Sequence, residues 1–240
     1  MKIKAVILAG GMGTRLAPYT TAFPKPLMPV GGCPILEIVV KQLKYHGFRE
    51  IILAVGHLAE LITTFLGDGS KYGVRIKYSK EEAPLGTAGP LGLLKDELKG
   101  TFLVMNGDVL SSINYDALLK YHKKNNSFAT IALARRNAEV DFGVIEVDKA
   151  RNIVNYTEKP TIDYLVSTGI YIFEPGVLEY IKPREKKDLP DLIKALMKDG
   201  KKVKGYLNDA YWLDIGRPED YAKANADFKN LKKKFLPGIK

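Results

Sequence analysis

The 240-residue chain is poor in the side chains on which many catalytic schemes depend. It has one cysteine, Cys33, so an intramolecular disulfide and a cysteine-built zinc site are both excluded. Its three histidines, His46, His57 and His122, lie on or beside helical stretches and form no pattern with a serine or cysteine nucleophile. They read as structural. No run approaches the roughly 18 apolar residues of a membrane span. The opening "MKIKAVILAGG" stops at two glycines without a cleavage pattern, so it reads as a first strand rather than a leader. Neither a Ser/Gly-rich linker nor an internal repeat divides the chain. A reducing, cytoplasmic setting fits these absences, and no membrane partner is expected.

What is present is ordinary for a globular domain able to bury a core: 46% hydrophobic and 27% charged residues. The formal net charge of +10 is spread over many segments and accompanies no nucleic-acid-binding motif. It reads as a solvated lysine-rich surface, and no nucleic-acid partner is expected. The tail "KNLKKKFLPGIK" concentrates five lysines and reads as the frayed end of a helix.

Short apolar runs alternate with amphipathic stretches. "KAVILA", "EIILAVG", "VRIKYS", "TFLVMNGD" and "SFATIALAR" read as strands. Between them, "PILEIVVKQLKYHG", "LAELITTFL" and "YDALLKYHKKN" carry the helical period, the first ending at Gly47. This alternation predicts an α/β fold with a mostly parallel, doubly wound sheet. Beyond residue 140, "DFGVIEVD", "NIVNYTEK" and "LVSTGIYIF" predict antiparallel strands added to that sheet. "DLPDLIKALMKDG" predicts a helix with Pro190 in its first turn. Late strands "KVKGYL" and "AYWLDIG" precede a closing helix that starts near Pro218.

The first strand runs into Gly10-Gly11-Met12-Gly13-Thr14-Arg15. Glycines after a strand let backbone N–H groups approach an anion closely, and α/β sheets bind ligands outside the carboxyl ends of their strands. A P-loop would need a Lys-Ser/Thr pair after Gly13, and a dinucleotide fingerprint would need glycine where Leu16 stands. What remains is a loop in which Arg15 forks onto phosphates. Ten residues on, Pro24 and Pro26 stiffen the backbone around Lys25, holding a point charge suited to a reacting phosphate. Asn106-Gly107-Asp108 and Asp214 end two separate strands, and a pair of carboxylates with phosphate oxygens is what Mg²⁺ prefers. Each aspartate alone is as well explained by a cap or turn. Together with the glycine loop they point to metal-assisted phosphoryl or nucleotidyl transfer. "NYTEKP" adds Glu158 and Lys159, a second cation for a second phosphate, with a surface ion pair as the competing explanation. "DFGVIE" adds Gly143, against which a sugar would press.

These residues resemble the sugar-1-phosphate nucleotidyltransferase family, whose signature is a GGxGTR loop followed by a PKP turn. The resemblance continues through "PLGTAG", "NGD", "FGV", "EKP", "STGIYIF" and "WLDIG" in the same order. It implies a Rossmann-like mixed sheet sandwiched by helices in a single domain spanning 1–240. Within it, 1–135 would be nucleotide-binding, 136–228 sugar-binding and 229–240 a basic tail. It implies condensation of a nucleoside triphosphate with a sugar 1-phosphate, giving an NDP-sugar and pyrophosphate. The attacking phosphate is already anionic, so no protein base is needed. By the same resemblance the glycine loop (Gly10, Gly11, Gly13, Thr14), Arg15 and Lys25 hold the triphosphate, and Asp108 and Asp214 hold Mg²⁺. Lys159 takes the sugar phosphate, Glu158 and Gly143 meet sugar hydroxyls, Asn106 is a further substrate-binding residue, and Thr168, Gly169 and Trp212 wall the sugar pocket. "KEEAPLGTAGPL" resembles the guanylyltransferase branch that makes GDP-mannose and GDP-heptoses. A carboxylate, Glu81 or Glu82, suits guanine's N1–H and amine together, with Gly86 and Thr87 against the base. Many members carry a C-terminal left-handed β-helix; none is read here, so an acyl-transferring activity is not expected, while a homodimer through the late strands or closing helix remains open. A glycosyltransferase would need a second carboxylate in the Asn106-Gly107-Asp108 motif, and a non-catalytic sensor would not need every position filled.

Overall fold

The computed structural model describes residues 3–238. Strand β1 (Lys4–Ala9) leads into a short helix, α1 (Tyr19–Ala22), and two short paired strands, β2 (Pro29–Val30) and β3 (Cys33–Pro34). Helix α2 (Ile35–Tyr45) buries Ile35, Ile38, Val39 and Leu43 and ends before Gly47, whose φ of 83° suits a helix stop. Then come β4 (Glu50–Val55), α3 (Ala59–Leu66), β5 (Arg75–Lys80), the single turn α4 (Gly89–Gly92), β6 (Phe102–Asn106) and β7 (Val109–Ser111). Helix α5 (Tyr115–Lys124) starts where the Asn114 side chain accepts the Ala117 N–H. The remainder comprises β8 (Ala129–Glu139), β9 (Val144–Val147), β10 (Ile153–Thr157) and β11 (Thr161–Phe173). Helix α6 (Leu189–Lys198), β12 (Val203–Leu207), β13 (Trp212–Asp214) and α7 (Pro218–Phe235) complete it.

The main sheet has seven strands in the order β12-β8-β11-β6-β1-β4-β5. Among the described residues β11 alone runs against its neighbours β6 and β8; the other pairings are parallel. The fold is therefore a mixed, mostly parallel α/β sheet covered on both faces. Alternation along the strands divides the core. Ala5, Ile7, Leu103 and Met105 join the cluster under α2, α5 and α7, whereas Val6, Phe102 and Val104 join the one under α6.

Two expectations are corrected. β9 and β10 pair only with each other, as an antiparallel hairpin outside the main sheet, and only β11 joins it. Their β-branched residues favour strands, but Ile145, Val147, Ile153 and Val154 stay exposed, so the composition marks a strand without naming its sheet. The lysine-rich tail is not frayed either: α7 runs to Phe235, which is fully buried and stacks on Phe228, and Leu236 is buried too. The lysines face water on a helix anchored by its apolar positions. Residues 239 and 240 of that tail lie outside the described residues.

Candidate active site

The loop after β1 is shaped by one left-handed residue. Gly13 has φ 64°, and a Cβ there would stand 3.0 Å from Thr20 and 3.3 Å from the Lys25 stem. The Thr20 hydroxyl donates to the Gly13 carbonyl at 2.8 Å. A tight turn at Thr14–Leu16 then buries Leu16 and leaves Arg15 outward. In the turn Lys25–Leu27, the Leu27 N–H bonds the Pro24 carbonyl at 2.9 Å, and Lys25 is only 7% exposed.

Glycine also sets where Asp108 stands. The Gly107 N–H donates to the Leu8 carbonyl at 2.8 Å, and a Cβ on Gly107 would come within 3.0 Å of that oxygen. The end of β6 therefore closes onto the end of β1, beside the glycine loop. β7 and β13 pair antiparallel with Asp214 opposite Val109, and the Ile215 N–H donates to the Asp108 carbonyl at 3.2 Å. Two carboxylates far apart in sequence thus meet. The Lys25 Nζ donates to Asp108 Oδ2 at 2.5 Å and stands 3.8 Å from Asp214 Oδ1. The Arg15 guanidinium lies over Gly216, about 3.5 Å from where a Cβ would be. Burial, and then the neighbouring Asp108 charge, push the Asp214 carboxyl above its ordinary range against the pull of Lys25 and Arg15. A cleft of about 270 Å³ opens between Leu8, Gly11, Gly13, Arg15, Lys25, Asp108 and Gly216.

The donor set fits a hard divalent cation. Asp108 Oδ1 is buried and has no partner, although its sister oxygen is bonded. Among the described residues no cluster of three or more His, Cys, Asp or Glu exists. Two carboxylates completed by phosphate oxygens and water are the usual environment of Mg²⁺.

Next to the loop, Glu81 is half-buried with Oε1 directed at Gly10, whose missing Cβ leaves it room. Its Oε2 accepts the Leu85 N–H at 2.9 Å. Burial raises its carboxyl above the usual range. Glu82, in contrast, is exposed and reaches only toward Arg184 at 3.9 Å. The glycine of "PLGTAG" has another reason than the expected one. Gly86 has φ 76°, and a Cβ there would strike the Lys187 carbonyl at 2.6 Å, so it makes room for protein rather than a base. Thr87 is likewise occupied: its N–H and hydroxyl donate to Asp188 Oδ1 at 3.0 and 3.2 Å, and its oxygen accepts the Leu189 N–H at 2.8 Å. It caps α6 from a hundred residues away.

The remaining expected residues form two further groups. Gly169 (φ 74°) backs onto Asn106, whose buried Oδ1 is also without a partner. The Thr168 hydroxyl donates to the Ala132 carbonyl at 2.9 Å, so it serves the sheet rather than walling a pocket, while the Trp212 ring N–H donates to the Thr168 carbonyl at 2.8 Å. Arg136, not anticipated from sequence, lies 4.9 Å over the Trp212 ring. Gly143 and Glu158 sit together on the β9–β10 hairpin, where the glycine makes room for the Tyr156 hydroxyl, which donates to Glu158 at 3.0 Å. That space is filled by tyrosine, not left for a sugar. Lys159 is exposed with φ 42°. Asp188 and Gly107 were missed because their partners, Thr87 and Leu8, are adjacent only in the fold.

Cations are thus set against a carboxylate pair beside the carboxyl ends of the parallel strands β1 and β6, where α/β folds bind ligands. The chain belongs to the Nucleotidyl transferase family, which it matches over residues 4–230. It is 36% identical to a mannose-1-phosphate guanylyltransferase of Mycobacterium tuberculosis over 94% of this chain and 64% of that one. It is 35% identical to a UTP–glucose-1-phosphate uridylyltransferase of Synechocystis over 99% and 66%. The chain thus spans about two thirds of the length of these curated relatives. Among solved structures, HddC of Yersinia pseudotuberculosis complexed with GMP-PN is 26% identical with a TM-score of 0.72, covering 94% of this chain and 99% of that one.

Proposed function

We propose that this chain condenses a nucleoside triphosphate with a sugar 1-phosphate, releasing pyrophosphate, and that its preferred pair is GTP with mannose 1-phosphate or a heptose 1-phosphate. The observation that carries the reaction is the convergence of Arg15, Lys25 and Asp108 on one cleft, with Asp214 3.8 Å from the Lys25 ammonium. A sugar-phosphate oxygen attacks the α-phosphorus; as that bond forms, the bond from the α-phosphorus to the bridging oxygen breaks, and pyrophosphate carries the electron pair away. Attack by an existing oxyanion requires no general base. Arg15, Lys25 and the N–H groups of the glycine loop hold the β- and γ-phosphates, where negative charge grows on the leaving group. Asp108 and Asp214 would hold Mg²⁺, which when bound neutralises phosphate charge and polarises the α-phosphoryl group. Lys159 supplies a cation to the sugar phosphate, with Glu158 beside it for sugar hydroxyls.

Guanine is favoured by Glu81. Its Oε1 stands at the end of β1, and a carboxylate accepts from both N1–H and the 2-amino group of guanine. Relatives named for guanylyl transfer support this reading, and a relative named for uridylyl transfer, matched at 35% identity, supports the reaction without the base. The test is pyrophosphate release across the five common triphosphates, each paired with mannose, glucose, glucosamine and heptose 1-phosphates. Turnover confined to GTP supports the base assignment; turnover confined to UTP or dTTP removes it while keeping the reaction.

A further inference from the structure

A cation of the protein's own stands between the two proposed metal carboxylates. The Lys25 ammonium touches Asp108 Oδ2 at 2.5 Å and lies 3.8 Å from Asp214 Oδ1, on a residue only 7% exposed. Pro24 and Pro26 fix the backbone on either side, so the freedom left to this group is rotation of its four-carbon stem. The second oxygen of Asp108 is buried without a partner. The ammonium therefore neutralises only part of a site whose donors exceed its contacts.

We propose that Lys25 is the resting counter-ion of the Asp108–Asp214 pair, and that it gives up Asp108 Oδ2 when a divalent cation binds, turning its ammonium to the triphosphate. This rests on the reading of Asp108 and Asp214 as the metal-holding pair. The ammonium stands between Asp108 Oδ2 and Asp214 Oδ1, the place an ion bridging those two oxygens would take, and two cations at that separation repel strongly. Two buried carboxylates with neither would repel each other. A nucleotide supplies the displaced ammonium with new oxyanions, so nucleotide and metal promote each other's binding beyond the phosphate–metal contacts themselves. Lys25 thereby offsets part of the carboxylate charge at rest and delivers its own charge to the leaving group only once substrate and metal are both present.

The experiment is Mn²⁺ titration followed by electron paramagnetic resonance, without nucleotide, on the whole chain as wild type, Lys25→Met and Asp108→Asn. Loss of the competing ammonium is expected to tighten Mn²⁺ binding about tenfold or more in Lys25→Met, whereas Asp108→Asn abolishes it. Unchanged or weaker affinity in Lys25→Met, with binding still lost in Asp108→Asn, overturns the exchange and leaves the metal assignment standing. Binding retained in Asp108→Asn removes the metal assignment itself, and the exchange with it. A second readout needs no variant. The Lys25 ammonium resonance of ¹⁵N-lysine-labelled wild type is expected to shift when Mg²⁺ alone saturates the site. A resonance that stays put at saturation contradicts the displacement.

Discussion

The phosphate cleft and the β9–β10 hairpin are built on opposite principles. In the cleft, cations and carboxylates are set by elements that are themselves core: Lys25 is 7% exposed, and Asp108 follows a glycine locked onto the β1 backbone. The hairpin pairs only with itself and exposes Phe142, Ile153 and Val154 at 77%, 65% and 62%. Its Glu158 and Lys159 are exposed. Preorganised charge suits groups that must face a developing negative charge without rearranging. A thinly anchored hairpin suits ground-state binding of a sugar. The difference teaches that mutations in the first region should act on turnover and those in the second on KM.

Asp108→Ala is expected to have the largest effect. Turnover with Mg²⁺, followed by pyrophosphate release, should fall by about a thousandfold or more, with the circular dichroism spectrum unchanged. Near-wild-type rates would place the chemistry outside this cleft. Glu81→Gln should lower kcat/KM for GTP by about a hundredfold without lowering that for UTP, because an amide loses one acceptor but offers a donor to a pyrimidine carbonyl. Equal losses for both nucleotides would assign Glu81 to holding Leu85 alone. Lys159→Ala should raise KM for the sugar 1-phosphate about tenfold while leaving KM for the nucleotide in place. A matching rise in both would contradict the division between the regions.

The smallest effect concerns pH and stability. The Asp214 carboxyl is raised by burial and by Asp108, so folding takes up protons as pH falls through that range. Stability contributed by the protonated form is present at low pH and lost as pH rises through the raised pKa. Asp214→Asn is therefore expected to raise Tm slightly at neutral pH while lowering turnover, and calorimetry alongside the rate assay checks both. Without metal, wild-type stability followed by calorimetry should decline as pH rises above the ordinary carboxylate range. A profile that is flat there in wild type and Asp214→Asn alike would contradict the shift.

The parallel strands were legible because burial on both faces leaves continuous apolar runs such as "KAVILA" and "EIILAVG". The hairpin was legible as strands and illegible as topology, since β-branched composition does not reveal whether the apolar residues meet a sheet or water. The cations of the cleft could be read because proline and glycine punctuate them locally. The reasons for Gly86 and Gly143 could not, because what each glycine avoids, the Lys187 carbonyl and the Tyr156 hydroxyl, is set by tertiary contact. Thr87 resembled a ligand-facing residue for the same cause: its partners, Asp188 and the Leu189 N–H, stand at the start of a helix that only the fold brings near.

The most direct measurement is a crystal of the chain with a non-hydrolysable GTP analogue and Mn²⁺, read from the anomalous difference map. A single peak between Asp108 and Asp214, with the triphosphate against Arg15 and the glycine loop and the Lys25 ammonium turned away from Asp108, is the result expected. A nucleotide bound elsewhere, or a metal away from both carboxylates, contradicts the account.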